Sequence, residues 1–337
     1  MKEKLIKLGL NDRIFKEFKD NFRDLYLGRV VAEYKGLYKI ATEEDIILAQ
    51  VSGKMVHNVV SKSSYPAVGD WVVVDRTSNS TGNGQIHWIF PRKSVLSRKV
   101  AGKQLNEQII VSNIDTIFIC MSANKDFNPR KLERYISIGW NSGAMPVIII
   151  TKIDLNHDIE NIKNEIAKIA IGLEIIYFSS ITGEGFDELI KYTTSGKTIA
   201  FIGSSGVGKS TLINVLLGEN KQKVNDIRLE DDKGRHTTTH RELMVLPNGC
   251  MVIDTPGVRE IQLLDESAGV DDSFKDILEL AKKCKFSDCR HDKEPGCAVL
   301  AAIDEGIISK QRLDSYNKLK RETEYIKRKL NKKSKSK

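Results

Sequence analysis

Thr198-Ile199-Ala200-Phe201-Ile202 runs directly into Gly203-Ser204-Ser205-Gly206-Val207-Gly208-Lys209-Ser210-Thr211. An apolar strand followed by G-x-x-x-x-G-K-[ST] and a helix start is the pattern of a phosphate-binding loop. Backbone N–H groups of such a loop, and of the helix N-terminus behind it, surround phosphate oxygens. Gly206 and Gly208 permit the tight backbone and close approach. Lys209 is placed to reach β- and γ-phosphates, and the Ser210 hydroxyl to meet Mg²⁺. The fold expected around this stretch is a layered, mainly parallel α/β domain.

The loop alone does not choose a base. Thr151-Lys152-Ile153-Asp154 follows the apolar run Val147–Ile150. A carboxylate at Asp154 can accept both N1–H and the 2-amino group of guanine, a donor pair that adenine lacks. The Lys152 stem can lie along the base plane. Ser179 and Ser180 follow another short strand and are candidates for a second base-proximal loop, though such residues also make ordinary turns. Asp254-Thr255-Pro256-Gly257 closes the set, with Asp254 a candidate Mg²⁺ ligand through water and the Gly257 N–H a γ-phosphate donor. Between them, Gly234-Arg235-His236-Thr237-Thr238-Thr239 offers Thr238 or Thr239 as a further Mg²⁺ ligand on a switch loop. The guanine reader precedes the phosphate loop by about fifty residues, and the metal motif follows it. An ordinary guanine-nucleotide domain begins with its phosphate loop. The rotated order points to a circularly permuted GTPase.

Val258 stands where many GTPases place a water-orienting Gln. Slow intrinsic hydrolysis is therefore expected, with His236 as the candidate catalytic residue. Arg235 or a group from a partner are alternatives.

Flanking regions have different textures. Residues 28–98 contain short β-rich runs separated by clusters such as Ser78-Asn79-Ser80-Thr81-Gly82-Asn83-Gly84. This predicts a small closed barrel, preferably OB-like and RNA-facing, with an SH3-like barrel as the alternative. Ile109–Met121 reads as one strand. Beyond about residue 265 helical patterns take over, with Cys284, Cys289, His291 and Cys297 spaced C-x₄-C-x-H-x₅-C. Three thiolates and one imidazole suit a closed, structural Zn²⁺ site, with a redox pair as the rival. The predicted division is 1–100 for leader and barrel, 101–265 for the nucleotide domain, and 266–337 for a helical zinc domain with a basic tail.

The bulk numbers agree with a water-soluble nucleotide-binding protein. The chain has 337 residues, 40% hydrophobic, and no apolar run long enough to span a bilayer. No signal peptide is legible at the start, so a cytoplasmic monomer is expected. The net charge is +8, and residues 312–337 carry eleven Lys or Arg against Asp314, Glu322 and Glu324. Such a tail suits a polyanion partner, RNA first, or simply a solvated end.

Together these motifs, with Gly69-Asp70-Trp71-Val72 and Gln108–Asp115, resemble the RsgA (YjeQ) family of small-subunit-dependent GTPases over nearly the whole chain. The resemblance implies a barrel, a permuted G domain and a Cys₃His zinc domain. It implies a late assembly factor whose hydrolysis is stimulated by the small ribosomal subunit, with that subunit and its rRNA as partners, and His236 as catalytic residue.

Overall fold

The computed structural model describes residues 3–58, 62–80, 82–100, 106–124, 126–155, 158–218, 241–254, 274–310 and 312–321. Two short helices, α1 (Glu3–Lys7) and α2 (Asp12–Asn21), open the chain. The Asn11 side chain caps α2 by accepting from the Ile14 N–H, and Ile14 and Phe18 form its buried face.

Five strands then close a barrel: β1 (Tyr26–Glu33), β2 (Tyr38–Thr42), β3 (Ile46–Val51), β4 (Trp71–Val74) and β5 (Gly84–Ile89). β1 pairs β2, β2 pairs β3, β3 pairs β5, β5 pairs β4, and β4 returns to β1. The β3–β5 pair is parallel. Hairpins give antiparallel neighbours, so a parallel pair needs a crossover. Helix α3 (Gly53–Asn58) and β4 lie within it, giving the OB-like form rather than a simple meander.

The barrel ends at β5. The next strand, β6 (Val95–Val100), pairs instead with β7 (Asn106–Ser112) in a separate two-stranded sheet. The expected single strand Ile109–Met121 is in fact two strands, β7 and β8 (Thr116–Ser122). Asn113 breaks it with φ 54°, a left-handed turn that Asn tolerates. The apolar run continued through the break because Ile114 is also buried, so hydropathy alone hid the corner.

The α/β layer contains α4 (Pro129–Asn141), β9 (Met145–Thr151), α5 (Ile159–Ala167), β10 (Glu174–Phe178), α6 (Phe186–Ile190), β11 (Thr198–Gly203), α7 (Lys209–Leu217), β12 (Arg241–Val245) and β13 (Met251–Asp254). Its strand order is β10-β9-β8-β11-β13-β12, parallel except for β12. Central strands read as continuous apolar runs because both faces are covered. Ile117, Ile119 and Met121 of β8 enter one core, while Phe118 and Cys120 enter the other. β12 also pairs β1 antiparallel, so barrel and α/β layer share one eleven-stranded sheet.

Beyond residue 273 the described chain is helical: α8 (Lys275–Ala281), α9 (Ala298–Asp304) and a helix over 312–321. Among the described residues no helix is long and apolar enough to cross a membrane.

Candidate functional site

The parallel strands bring distant motifs to one edge. Thr151 ends β9, Ser179 follows β10, Gly203 ends β11 and Asp254 ends β13. Ligands in open α/β sheets sit outside the carboxyl ends of the strands, so this edge is the expected place. β9 lies two strands from β11, on the far side of β8.

Gly203 opens the phosphate loop with φ 149°, and a Cβ there would stand 2.4 Å from the Cys120 carbonyl oxygen on β8. Only glycine lets the loop leave the sheet that closely. Gly206 and Gly208 also have positive φ. Gly208 is the N-cap of α7 and has no side chain to satisfy the helix N–H groups, which leaves them to an anion. Val207 is buried and anchors the loop, whereas Ser205, Gly206, Ser210 and Thr211 are exposed. Lys209 Nζ donates to the carbonyls of Gly203 (2.8 Å) and Ser204 (2.7 Å), folded back across its own loop.

The segment Thr151–Asp154, the expected guanine reader, is tied to this loop. Thr151, 3% exposed, donates its hydroxyl to the Val207 carbonyl at 2.6 Å. A Cβ at Gly208 would be 3.8 Å from Thr151 side-chain atoms. Thr151 thus occupies the corner between the two motifs and tethers one to the other, a role that no motif pattern assigns to it. Lys152, at φ 59°, reaches from the reader to the Gly206 carbonyl at 2.7 Å. Ile153 is buried and Asp154 exposed, so the carboxylate stands at the surface on an apolar footing. Ser179, fully buried, donates to Asp154 Oδ1 at 2.6 Å, and its oxygen accepts the N–H groups of Ile181 and Thr182 at 3.2 Å. Ser179 therefore orients the Asp154 carboxylate rather than facing solvent. Ser180 is exposed beside it.

Two supports under the loop carried no motif signal. Tyr135 on α4 is buried, and burial holds its phenol above the ordinary pKa, with Ser204 and Arg134 opposing that shift. Burial also pushes the Cys120 thiol up to about 12, with nearby Lys209 acting in the opposite direction. That thiol is an inert core group. His236, Arg235, Thr238, Thr239, Gly257 and Val258 lie outside the described residues, as does the tail beyond residue 321.

The second cluster lies in the helical region. Cys284, Cys289, His291 and Cys297 bring their ligand atoms within 4.8 Å of one another and could hold a metal ion. Cys284 Sγ is 3.8 Å from Cys297 Sγ and 3.7 Å from His291 Nδ1, and Cys297 Sγ is 3.3 Å from His291 Nδ1. With bonds of about 2.3 Å to sulfur, a tetrahedral Zn²⁺ site has sulfur–sulfur edges of about 3.8 Å. The donor set and the spacing agree with such an ion. His291 takes a left-handed φ of 58° to aim its ring inward. Glu294 holds that turn by accepting the N–H groups of Arg290, Asp292 and Lys293, which draw its carboxyl down to about 2.

The fold and site define a circularly permuted GTPase. The RsgA GTPase family model matches residues 89–264, and a model described as a 50S ribosome-binding GTPase matches residues 198–333. The small ribosomal subunit biogenesis GTPase RsgA 2 of Lactiplantibacillus plantarum is 48% identical over 322 residues, 95% of this chain and 90% of the relative. RsgA of Methanosarcina acetivorans is 45% identical over 88% of this chain and 80% of its own length. Among solved structures, YjeQ from Thermotoga maritima aligns with TM-score 0.63 at 27% identity, covering 89% of this chain and 98% of that one. YloQ, described as a circularly permuted GTPase, gives 0.62 at 27% identity, covering 92% and 97%. The chain belongs to the RsgA GTPase family.

Proposed function

We propose that this protein is a GTP hydrolase stimulated by the small ribosomal subunit and acting late in that subunit's maturation. The observation that carries the nucleotide chemistry is the pair of bonds from Thr151 to Val207 and from Lys152 to Gly206, which join the base reader to the phosphate loop. The names of the relatives support the partner.

In this reading Asp154 reads guanine, held by Ser179, with Ile153 beneath and Ser180 alongside. Residues 203–211 and the Gly257 N–H hold the phosphates. Ser210 and Asp254, with Thr238, would hold Mg²⁺, which supplies positive charge against the β- and γ-phosphate oxygens. Cys284, Cys289, His291 and Cys297 hold one structural Zn²⁺. His236 orients the attacking water. Residues 1–100 and 266–337 act as RNA-facing modules around the G domain of 101–265, in a cytoplasmic monomer.

Because Val258 cannot polarise water, the protein alone turns over slowly and the subunit completes the site. The test is GTP turnover by the protein alone, with small subunits, and with large subunits. Stimulation by small subunits only, reduced at least about tenfold in His236→Ala, is the expected result. Equal stimulation by both subunits, or none, would reject the partner, and an unaltered His236→Ala rate would remove the histidine.

A further inference from the structure

A groove of about 650 Å³ lies on the barrel, away from the nucleotide edge, between Phe22 at the C-cap of α2 and the residues of α3 and β5. Its apolar side is Phe22, Trp88 and Phe90, with Met55. Trp88 is 46% exposed, whereas Trp71 is buried and Trp140 only partly exposed. The indole does not hang loose. Its ring lies 6.0 Å from Phe22, which packs on Phe90 at 5.9 Å and on Phe18 at 6.1 Å, both of them buried. One side of the ring is held by this aromatic stack, and almost half its surface meets solvent.

The backbone explains how that exposure arises. On β4, Val73 pairs Trp88 but Val74 pairs Ile86, so His87 is an extra residue in β5. This bulge breaks the inward–outward alternation, and both His87 and Trp88 are exposed between buried Ile86 and Phe90. Bulges re-aim side chains in this way next to binding surfaces. The polar rim is one-sided. Exposed Lys54 and His87 line the groove together with Arg92, and among the described residues none that lines it is acidic. Arg92 is already engaged by Asp70 and two carbonyls, which leaves Lys54 and His87 to face an occupant.

A pre-set indole face beside an ammonium and an imidazole suits a base with its phosphate. A peptide segment would gain nothing from a rim without carboxylates unless it were acidic. Duplex nucleic acid offers no ring face to stack on. We propose that this groove takes one unpaired nucleobase of RNA, stacked on Trp88, with the adjoining phosphate toward Lys54 and His87. The inference rests on the RNA-facing reading of the barrel and adds to it the residue and the kind of nucleotide.

The test uses the full chain and a labelled single-stranded ribo-octamer, with a duplex of the same sequence as competitor. Binding should quench tryptophan fluorescence. Trp88→Ala should weaken the octamer roughly five- to a hundredfold, while Trp88→Phe stays within about threefold of the parent. Lys54→Ala should flatten the salt dependence of log K by about 0.7. GDP affinity, measured on the same preparations, should be unchanged and reports that the variants are folded. An octamer that does not bind, equal affinity in Trp88→Ala, or equal competition by duplex would overturn the assignment, and an acidic peptide occupying the groove would take its place. Failure of small-subunit stimulation with Trp88-dependent octamer binding intact would instead count against the assembly function alone.

Discussion

The α/β layer has two neighbours, and it is joined to them by different physics. On the barrel side the joint is backbone. β12 pairs both β13 and β1, placing Glu242 opposite Asp254 on one side and Ala32 on the other. Beneath this seam Arg29, 1% exposed, donates to the carbonyls of Leu8, Gly69 and Asn113 and to the Thr198 hydroxyl, and stacks over Trp71. Burial lowers its pKa to about 10, with Asp115 and Asp70 opposing that shift, so it stays charged at neutral pH. On the C-terminal side the joint is side chains: Phe274, Ile277, Val299, Leu313, Tyr316 and Leu319 share one buried cluster with Leu132 and Ile136 of α4. Arg312, 4% exposed, makes a two-pronged bond to Asp276 at 2.6 and 2.8 Å, reaches Glu133 of α4 at 3.2 Å, and lies over Phe274. A shared sheet distributes its stability over many main-chain bonds. A joint made of side chains depends instead on this one guanidinium and on the apolar residues packed around it, Phe274, Ile277, Leu313 and Tyr316 among them.

The comparison can be broken most forcefully at the Cys/His cluster, with the proposed Zn²⁺ as the lever. A chelator, or Cys297→Ser, should unfold the helices after residue 273 and leave GDP affinity within about twofold, since structural Zn²⁺ supplies on the order of 10 kcal/mol to a small unit. Circular dichroism and GDP titration on one sample check this, and concerted loss of both would show that the two joints are equally rigid. Next in size is Arg312→Met, which strands the buried Glu133 carboxylate. A loss of about 3–5 kcal/mol in docking is expected, read by protease cutting of the C-terminal helices. Burial already pushes the Glu133 pKa up, with Ser315 and Arg312 opposing it. Adding Glu133→Gln should therefore recover part of that loss.

Asp115 at the barrel joint gives the smallest effect and sharpens the contrast by pH. Burial disfavours its carboxylate, but Lys93 at 2.7 Å and the Thr198 N–H at 2.8 Å outweigh this and hold its pKa below the ordinary value. A carboxyl with a depressed native pKa stabilises the fold above its unfolded pKa, and that contribution fades as pH falls through the native one. Asp115→Asn should cost about 1 kcal/mol at pH 7, with Lys93 half-exposed and screened, and a smaller amount at pH 3. Urea melts at the two pH values measure it, and an equal loss at both would assign the effect to packing.

Much of this architecture was legible from local chemistry. The glycines of the phosphate loop, the apolar runs of β9 and β11, and the four residues of the Cys/His cluster each announce themselves over short spans, because one local geometry constrains neighbouring residues together. The joints were not legible in the same way. Gly69-Asp70-Trp71-Val72 and Gln108–Asp115 stood out only by resemblance. Their reason is tertiary: a Cβ at Gly69 would stand 2.1 Å from the Ser112 carbonyl oxygen, and buried Asp70 accepts from Ser112, Arg92 and the Ala67 N–H. Asn113 donates to the Gly69 carbonyl from across the same seam. No periodicity links residues 29, 70, 92, 113 and 198.

By itself the sequence announced the phosphate loop, the rotated motif order, the Cys/His cluster and the presence of a barrel, since each follows from residues whose backbone freedom or donor atoms are fixed by type. Tertiary structure alone decided that Thr151 tethers the end of β9 to the phosphate loop, that Ser179 serves Asp154, that Trp88 is turned outward by a bulge, and that β12 welds barrel to G domain. Those depend on strand register and on which carbonyls remain to be satisfied at a corner. Such quantities exist only once distant segments have been packed together.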